Sequence, residues 1–246
     1  MIHVVVTAGG TVAPIDDVRA LANASTGRFG ARIAETALRR GAIVHYLHAP
    51  GALLPFARDA RFDLDAADPA AELARLAALR EAWAGVRDRC HLAPLRVGTV
   101  DEYARTLERL LKDHPIDAAF LAMAASDYAP EPVAGKLSSD AESLTIRCVR
   151  QPKVIQQVRD WSPSTFLVGF KLLSGVPTAE LIRQAEIATR TNRADLTVAN
   201  DLSTVRSGRH AIHLVQPGRP VATVEPPDDI AEALVDRVFE ALPRPR

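Results

Sequence analysis

The chain has 246 residues, 48% of them hydrophobic and 24% charged, which is ordinary globular composition with enough apolar surface to fold without staples. Thirty basic residues balance thirty acidic ones, so no net field draws the protein to nucleic acid or to a membrane surface; so few of the basic residues are lysine that each lysine is worth inspecting. Cys90 and Cys148 lie outside any C-x-x-C spacing, no run approaches a membrane span, and Met1 leads straight into an apolar run without a cleavable leader, which together predict a reduced, cytoplasmic protein.

His3 to Thr7 is a β-branched apolar run closed by Ala8, Gly9 and Gly10, the pattern of a buried parallel strand ending in a tight turn. After a loop to Gly27, Phe29, Ile33, Ala37 and Leu38 recur at helical spacing and Gly41 sits where that helix stops. Ala42 to Leu47 gives a second strand, so the first fifty residues read as a βαβ unit with a long strand-to-helix loop. Helices are predicted over Pro69–Val86 and, from a Thr99/Glu102 capping box, to about Lys112, with a strand from Leu92 to Val97 between them. Asp117 to Ala125 is a strand ending at Ser126-Asp127, Tyr128 to Asp140 an exposed loop, and Ser143 to Val149 an alternating, antiparallel strand.

A helix over Pro152–Trp161, a strand over Thr165–Phe170, a helix over Thr178–Thr191 and a strand over Asp195–Ala199 follow, then a hairpin of Ala211–Val215 with Val221–Val224 and a last helix over Asp228–Ala241. Strands alternating with helices predict an α/β fold, a Rossmann-like, mostly parallel sheet covered on both faces; no repeat or linker divides residues 1–246, so one domain is expected. Ligands of such sheets sit at the carboxyl ends of the strands. That rule nominates Gly9-Gly10, Ser126-Asp127, Phe170-Lys171 and Asn200-Asp201.

Asn23, Ala24, Ser25, Thr26 and Gly27 precede the first helix, where free backbone N–H groups, hydroxyls and the helix dipole suit a phosphate; Ser25 or Thr26 acting only as a helix cap is the plainer alternative. Asp127, beside the small Ala124, Ala125 and Ser126, leaves room for a cation or nucleotide group, or caps the following turn. A nicotinamide-dependent reductase also begins strand, glycine turn, helix. Against it, Tyr46-Leu47-His48-Ala49 supplies no acid for the ribose, no tyrosine has a lysine four residues on, and the glycines miss G-x-G-x-x-G. No G-x-x-x-x-G-K-[ST], H-E-x-x-H or G-x-S-x-G motif is present. His45/His48 and His210/His213 fall in predicted strands at a spacing that sends each pair to opposite faces, which favours ordinary surface or core histidines.

Four segments together resemble the phosphopantothenoylcysteine synthetase family, also called phosphopantothenate-cysteine ligase. They are Thr7-Ala8-Gly9-Gly10-Thr11 through Val18-Arg19 to Asn23-Ala24-Ser25-Thr26-Gly27-Arg28-Phe29-Gly30; Ala124-Ala125-Ser126-Asp127-Tyr128 with Lys136-Leu137-Ser138-Ser139; Val168-Gly169-Phe170-Lys171; and Val198-Ala199-Asn200-Asp201. The resemblance implies a ligase of coenzyme A biosynthesis that joins 4'-phosphopantothenate to L-cysteine through an acyl-nucleotidylate, consuming ATP or CTP with Mg²⁺. It implies that Asn23 binds the nucleotidylate and assists the second step, that Arg19 serves an anionic substrate group, and that Gly10, Ser25, Gly27 and Gly30 bracket the triphosphate. Ala124, Asp127, Phe170 and Asn200 would line the nucleotide pocket, with Lys136 closing over the reacting phosphate and Lys171 a further phosphate candidate. Thr26 replaces a frequent serine, and the loop at Lys136 lacks the extra lysines of many bacterial members. Phe170-Lys171-Leu172 and Asp160-Trp161-Ser162-Pro163 look more like the ATP-using branch, so ATP is slightly preferred. Because the chain begins at the synthetase motif, a stand-alone form without flavin is expected, as is a homodimer using the antiparallel stretch around 143–149. A reductase and a non-catalytic nucleotide-binding relative are the alternatives.

Overall fold

A computed structural model describes residues 1–140, 142–206, 208 and 210–243. In chain order the elements are β1 (His3–Ala8), β2 (Val12–Pro14), β3 (Ala20–Ala22), α1 (Arg28–Arg39), β4 (Ile43–His48), α2 (Pro69–Ala84), β5 (Cys90–Pro94), α3 (Val100–Asp113) and β6 (Ala118–Leu121). Then come β7 (Tyr128–Pro130), β8 (Cys148–Arg150), α4 (Val154–Trp161), β9 (Phe166–Leu173), α5 (Thr178–Thr191), β10 (Leu196–Asp201), α6 (Leu202–Arg206), β11 (Ile212–Val215), β12 (Ala222–Val224) and α7 (Ile230–Ala241).

Eight strands form the central sheet in the order β12-β11-β10-β9-β6-β1-β4-β5. Within it β5, β4, β1, β6, β9 and β10 run parallel, and β11 and β12 join antiparallel at one edge. The expected α/β architecture is therefore present, with strand order reversing at β1. Alternation along each strand sends side chains to two faces. Val4, Val6 and Ala8 of β1 join Tyr46, Phe120, Val168 and Val198 under α1 and α7. Val5, Leu47, Ala119 and Leu167 face the other way, under α3 and α4, while Ala199 and Val215 lie under α5. Among the described residues no helix is long and apolar enough to cross a membrane.

Several expectations need correction. The long loop after β1 holds a hairpin, β2 with β3, whose three-residue strands are too short to show a period. The strand expected over Ser143–Val149 is reduced to Cys148–Arg150, paired antiparallel with Tyr128–Pro130 inside the expected loop. Alternation at 143–147 lacked a neighbouring strand to complete its hydrogen bonds. The strand expected from Leu92 starts at Cys90, in register with Val44. At α3, Thr99 Oγ1 accepts from Glu102 N at 3.2 Å, as a capping box requires. The Glu102 carboxylate instead accepts from the backbone N–H groups of Arg96, Val97 and Gly98, so it fixes the preceding loop.

Candidate active site

The site is built where β1 and β6 diverge. Beyond their last paired residues an isolated parallel bridge joins Gly10 to Ala124, and Ala124 N donates to Gly9 O at 2.9 Å. Thr11 N and the Asn23 Nδ2 both donate to Ala124 O, at 3.0 and 2.9 Å. Ser126 donates its hydroxyl to Asn23 Oδ1 at 3.0 Å and its N–H to Thr11 Oγ1 at 2.9 Å. Both ends of the Asn23 amide are thus fixed by segments a hundred residues away. Only glycine fits at position 10, because a Cβ there would lie 2.2 Å from the Asn23 carbonyl oxygen.

The loop continues into α1 through Gly27, which is the N-cap and carries no side-chain cap. Ser25 Oγ and Thr26 Oγ1 accept only long bonds of 3.4 Å, from Gly27 N and Arg28 N. The capping alternative for Ser25 and Thr26 is therefore weakly realised, and the positive end of α1 opens toward the carboxyl ends of the strands.

Arg19 and Lys136 are coupled through Asp16. The guanidinium of Arg19 donates to Asp16 Oδ2 at 2.9 and 2.6 Å and to Leu137 O at 2.7 Å. Asp16 also accepts from the N–H groups of Val18, Arg19 and Leu137. The Arg19 hydrogen bonds hold its carboxyl far below the usual carboxylate range, against the penalty of burial. With Asp17 N donating to Gly135 O at 3.0 Å, the chain is pinned on either side of Lys136, whose own side chain is exposed. The segment expected to be a free loop is stitched to the β2–β3 turn, and Arg19 enters the site already paired.

Asp127 is exposed and ion-paired to Lys153 at 2.5 Å. Lys153 is the N-cap of α4 and went unpredicted, although the scarcity of lysine was the signal that could have found it. Lys112 pairs with Glu108 on α3. In β9, Phe170 and Lys171 point to opposite faces: Phe170 joins the α1 side, and Lys171 continues the row of Gly169, where a Cβ would lie 3.0 Å from Ile155 of α4. The two were expected in one nucleotide site; the pleat separates them.

On the α1 side, Phe29 meets Phe170 edge-on at 5.8 Å and His210 at 5.3 Å. Asn200 Nδ2 lies 3.3 Å from His210 Nε2. His210 precedes β11 rather than lying in it, and no spacing in the sequence pointed to its place beside Asn200. Asp201 is a structural cap: its carboxylate accepts from Ser203, Gly175 and Val176, and the Ser203 hydroxyl leads in drawing its pKa down to about 2.

Elsewhere His45, 4% exposed, is ringed by His3, His91 and His114 at the opposite end of the sheet. A cavity of about 510 Å³ between residues 54–60 and α2 is lined by Leu54, Phe56, Leu76, Leu79 and Trp83, with Arg80 its charged group; its apolar walls are unsuited to a triphosphate.

The sequence profile of the "DNA/pantothenate metabolism flavoprotein C-terminal domain" family matches residues 1–78 and 84–242. The Coenzyme A biosynthesis bifunctional protein CoaBC of Thermococcus kodakarensis is 30% identical over 243 residues, covering 98% of this chain and 51% of that protein. This chain therefore spans about half the length of that relative. Phosphopantothenate--cysteine ligase 1 of Oryza sativa subsp. japonica is 30% identical over 226 residues, 82% of this chain and 68% of the rice protein. The crystal structure of the DNA/pantothenate metabolism flavoprotein from Streptococcus pneumoniae superposes with a TM-score of 0.75 at 25% identity, covering 98% of each chain.

Proposed function

This chain belongs to the DNA/pantothenate metabolism flavoprotein C-terminal domain family, and on that premise we propose that it is a phosphopantothenate-cysteine ligase of coenzyme A biosynthesis. The observation that carries the reading is the Asn23 amide, clamped between Ala124 and Ser126 at the strand-order reversal and adjacent to the open N-terminus of α1. In the first step the phosphopantothenate carboxylate attacks the α-phosphate of the nucleotide and pyrophosphate leaves. In the second, the cysteine amine attacks the acyl carbon, the nucleoside monophosphate leaves, and the amine loses a proton to form the amide.

A carboxylate needs this activation because oxide is a hopeless leaving group, and the protein's task is to hold anions in line and keep water from the mixed anhydride. The N–H groups at the start of α1, with Gly10, Ser25, Gly27 and Gly30 around them, suit the polyphosphate. Lys136 on its pinned segment suits the developing charge in transfer. Ala124, Asp127, Phe170 and Asn200 suit the nucleoside, and Lys171 and Arg19 suit anionic groups. Mg²⁺ fits this arrangement, since it keeps most of its waters and rides on substrate phosphates with one or two carboxylates. Asp127 offers such a carboxylate, and among the described residues no cluster of three His, Cys, Asp or Glu side chains forms an all-protein cage.

We favour ATP over CTP and a homodimer, the latter to be read by sedimentation equilibrium. Pyrophosphate release from purified protein with phosphopantothenate, Mg²⁺ and ATP or CTP, with and without cysteine, tests the reading. Release that depends on phosphopantothenate, with amide product on adding cysteine, is the expected result. No release with either nucleotide defeats it.

A further inference from the structure

We infer that Asp16 is a positioning residue that sets Lys136 in place before substrate arrives, by holding the backbone of Leu137 beside it. The inference rests on the ligase reading and deepens it, giving a role to a side chain that the family resemblance left without one.

Two stretches of chain run side by side here. Val133 N donates to Ile15 O and Asp17 N to Gly135 O, both at 3.0 Å. Asp16 Oδ2 accepts from Leu137 N at 3.0 Å, and Arg19 Nη2 donates to Leu137 O at 2.7 Å. Residues 133, 135 and 137 are thus each tied to the 15–19 stretch, and Lys136 stands between two tied neighbours with its own side chain exposed. Both ties at Leu137 depend on Asp16. One is made by its carboxylate, and the other by a guanidinium that the same Oδ2 holds at 2.9 and 2.6 Å.

An aspartate that only shapes a turn needs one oxygen. Oδ1 does that work, accepting from Val18 N and Arg19 N at 3.0 and 2.7 Å. Oδ2 is left for the clasp: it faces the Arg19 guanidinium and Leu137 N from a side chain with no solvent exposure. An ionised acceptor makes these bonds stronger than a neutral one would. The division of labour between the two oxygens makes the roles separable. A serine hydroxyl can still accept from the turn N–H groups, though more weakly, and puts nothing in the place of Oδ2.

The experiment uses wild type, Asp16→Ser, Lys136→Ala and the double variant, each checked for cooperative unfolding. It measures kcat for phosphopantothenate-dependent pyrophosphate release and, by NMR without substrate, the exchange of backbone amides. Leu137 N–H should be protected in wild type, and Asp16→Ser should speed its exchange at least about tenfold while core amides keep theirs, the effect of one lost hydrogen bond to a charged group. Asp16→Ser should lower kcat about tenfold when Lys136 is present and less than about twofold once it is alanine, because a residue that acts through Lys136 then has nothing to act on. The KM for phosphopantothenate should rise alike in both backgrounds, since Arg19 loses the same partner in each. An equal fall in kcat in both backgrounds makes Asp16 a turn former alone and overturns the inference, as does unchanged exchange at Leu137. If Asp16→Ser does not fold, the wild-type amide decides, and exchange at Leu137 as fast as in an unstructured peptide overturns it. No pyrophosphate from wild type with either ATP or CTP defeats the ligase reading instead; exchange at Leu137 in wild type and Asp16→Ser then tests the clasp by itself.

Discussion

Asn23 and Lys136 make opposite demands on a substitution. Asn23 holds Ala124 O and the Ser126 hydroxyl, and its proposed task is in the second step. Asn23→Ala should therefore still release pyrophosphate while coupling to cysteine falls by about 10²-fold or more, the size expected when one preorganised donor is lost; normal amide yield in a quenched-flow assay would remove Asn23 from the mechanism. Lys136 is exposed and contributes nothing to packing, so Lys136→Ala should leave the melting temperature within a degree or so of wild type and lower turnover by about 10²-fold. An unchanged rate would make it a solvated surface lysine. At this scale the sequence was informative where a whole motif carried the residue, as at Gly10, Asn23 and Ala124. Lys153 was not singled out, because it meets Asp127 across 26 residues of chain, and His210 was read as an ordinary histidine, because no spacing announced its contacts with Asn200 and Phe29.

The contact between α1 and β1 depends on having no side chain at position 30, where a Cβ would lie 2.8 Å from the Ala8 Cβ and 3.1 Å from the Thr7 carbonyl. Gly30→Ala should push the helix outward and cost about 1–3 kcal/mol by overpacking, lowering the melting temperature by roughly 2–4 °C for each kcal/mol; calorimetry checks this. Elements with a full period of buried residues were legible in advance: α5 was predicted with its observed ends, and β1, β4 and α7 to within two residues. The small pairs β2–β3 and β7–β8 were not, since three residues hold too few side chains to establish alternation and their pairing is with one another, away from the main core. The Ser143–Val149 expectation failed for the complementary reason: it had alternation but no neighbour along most of its length.

Across the molecule, acid should weaken the fold through the end of the sheet opposite the ligand site. Burial first, then repulsion from His114, His91 and His3, hold the His45 pKa down to about 4, while the unfolded chain titrates near 6.5. Between those values the unfolded state binds more protons, so stability is lost as pH falls from 6.5 toward 4, by about 1.4 kcal/mol per unit at most. His45 Nε2 is also buried without a hydrogen-bond partner, so His45→Leu should be no less stable at pH 7 and should flatten the dependence; urea unfolding at pH 7, 6 and 5 reads both. The overall architecture was legible because β-α alternation and right-handed crossovers leave few topologies, whereas the gathering of four histidines at one end depended on strand register. The packing of α7 on α1 introduces time into this architecture. Ile33, Ala37 and Leu38 share one core with Leu234, Val235 and Val238, and Arg40 bonds Asp236 across the seam. In a nascent chain β1 and β4 are at hand to cover part of the α1 stripe early, whereas the side that meets α7 waits for residues 230–241 to be made.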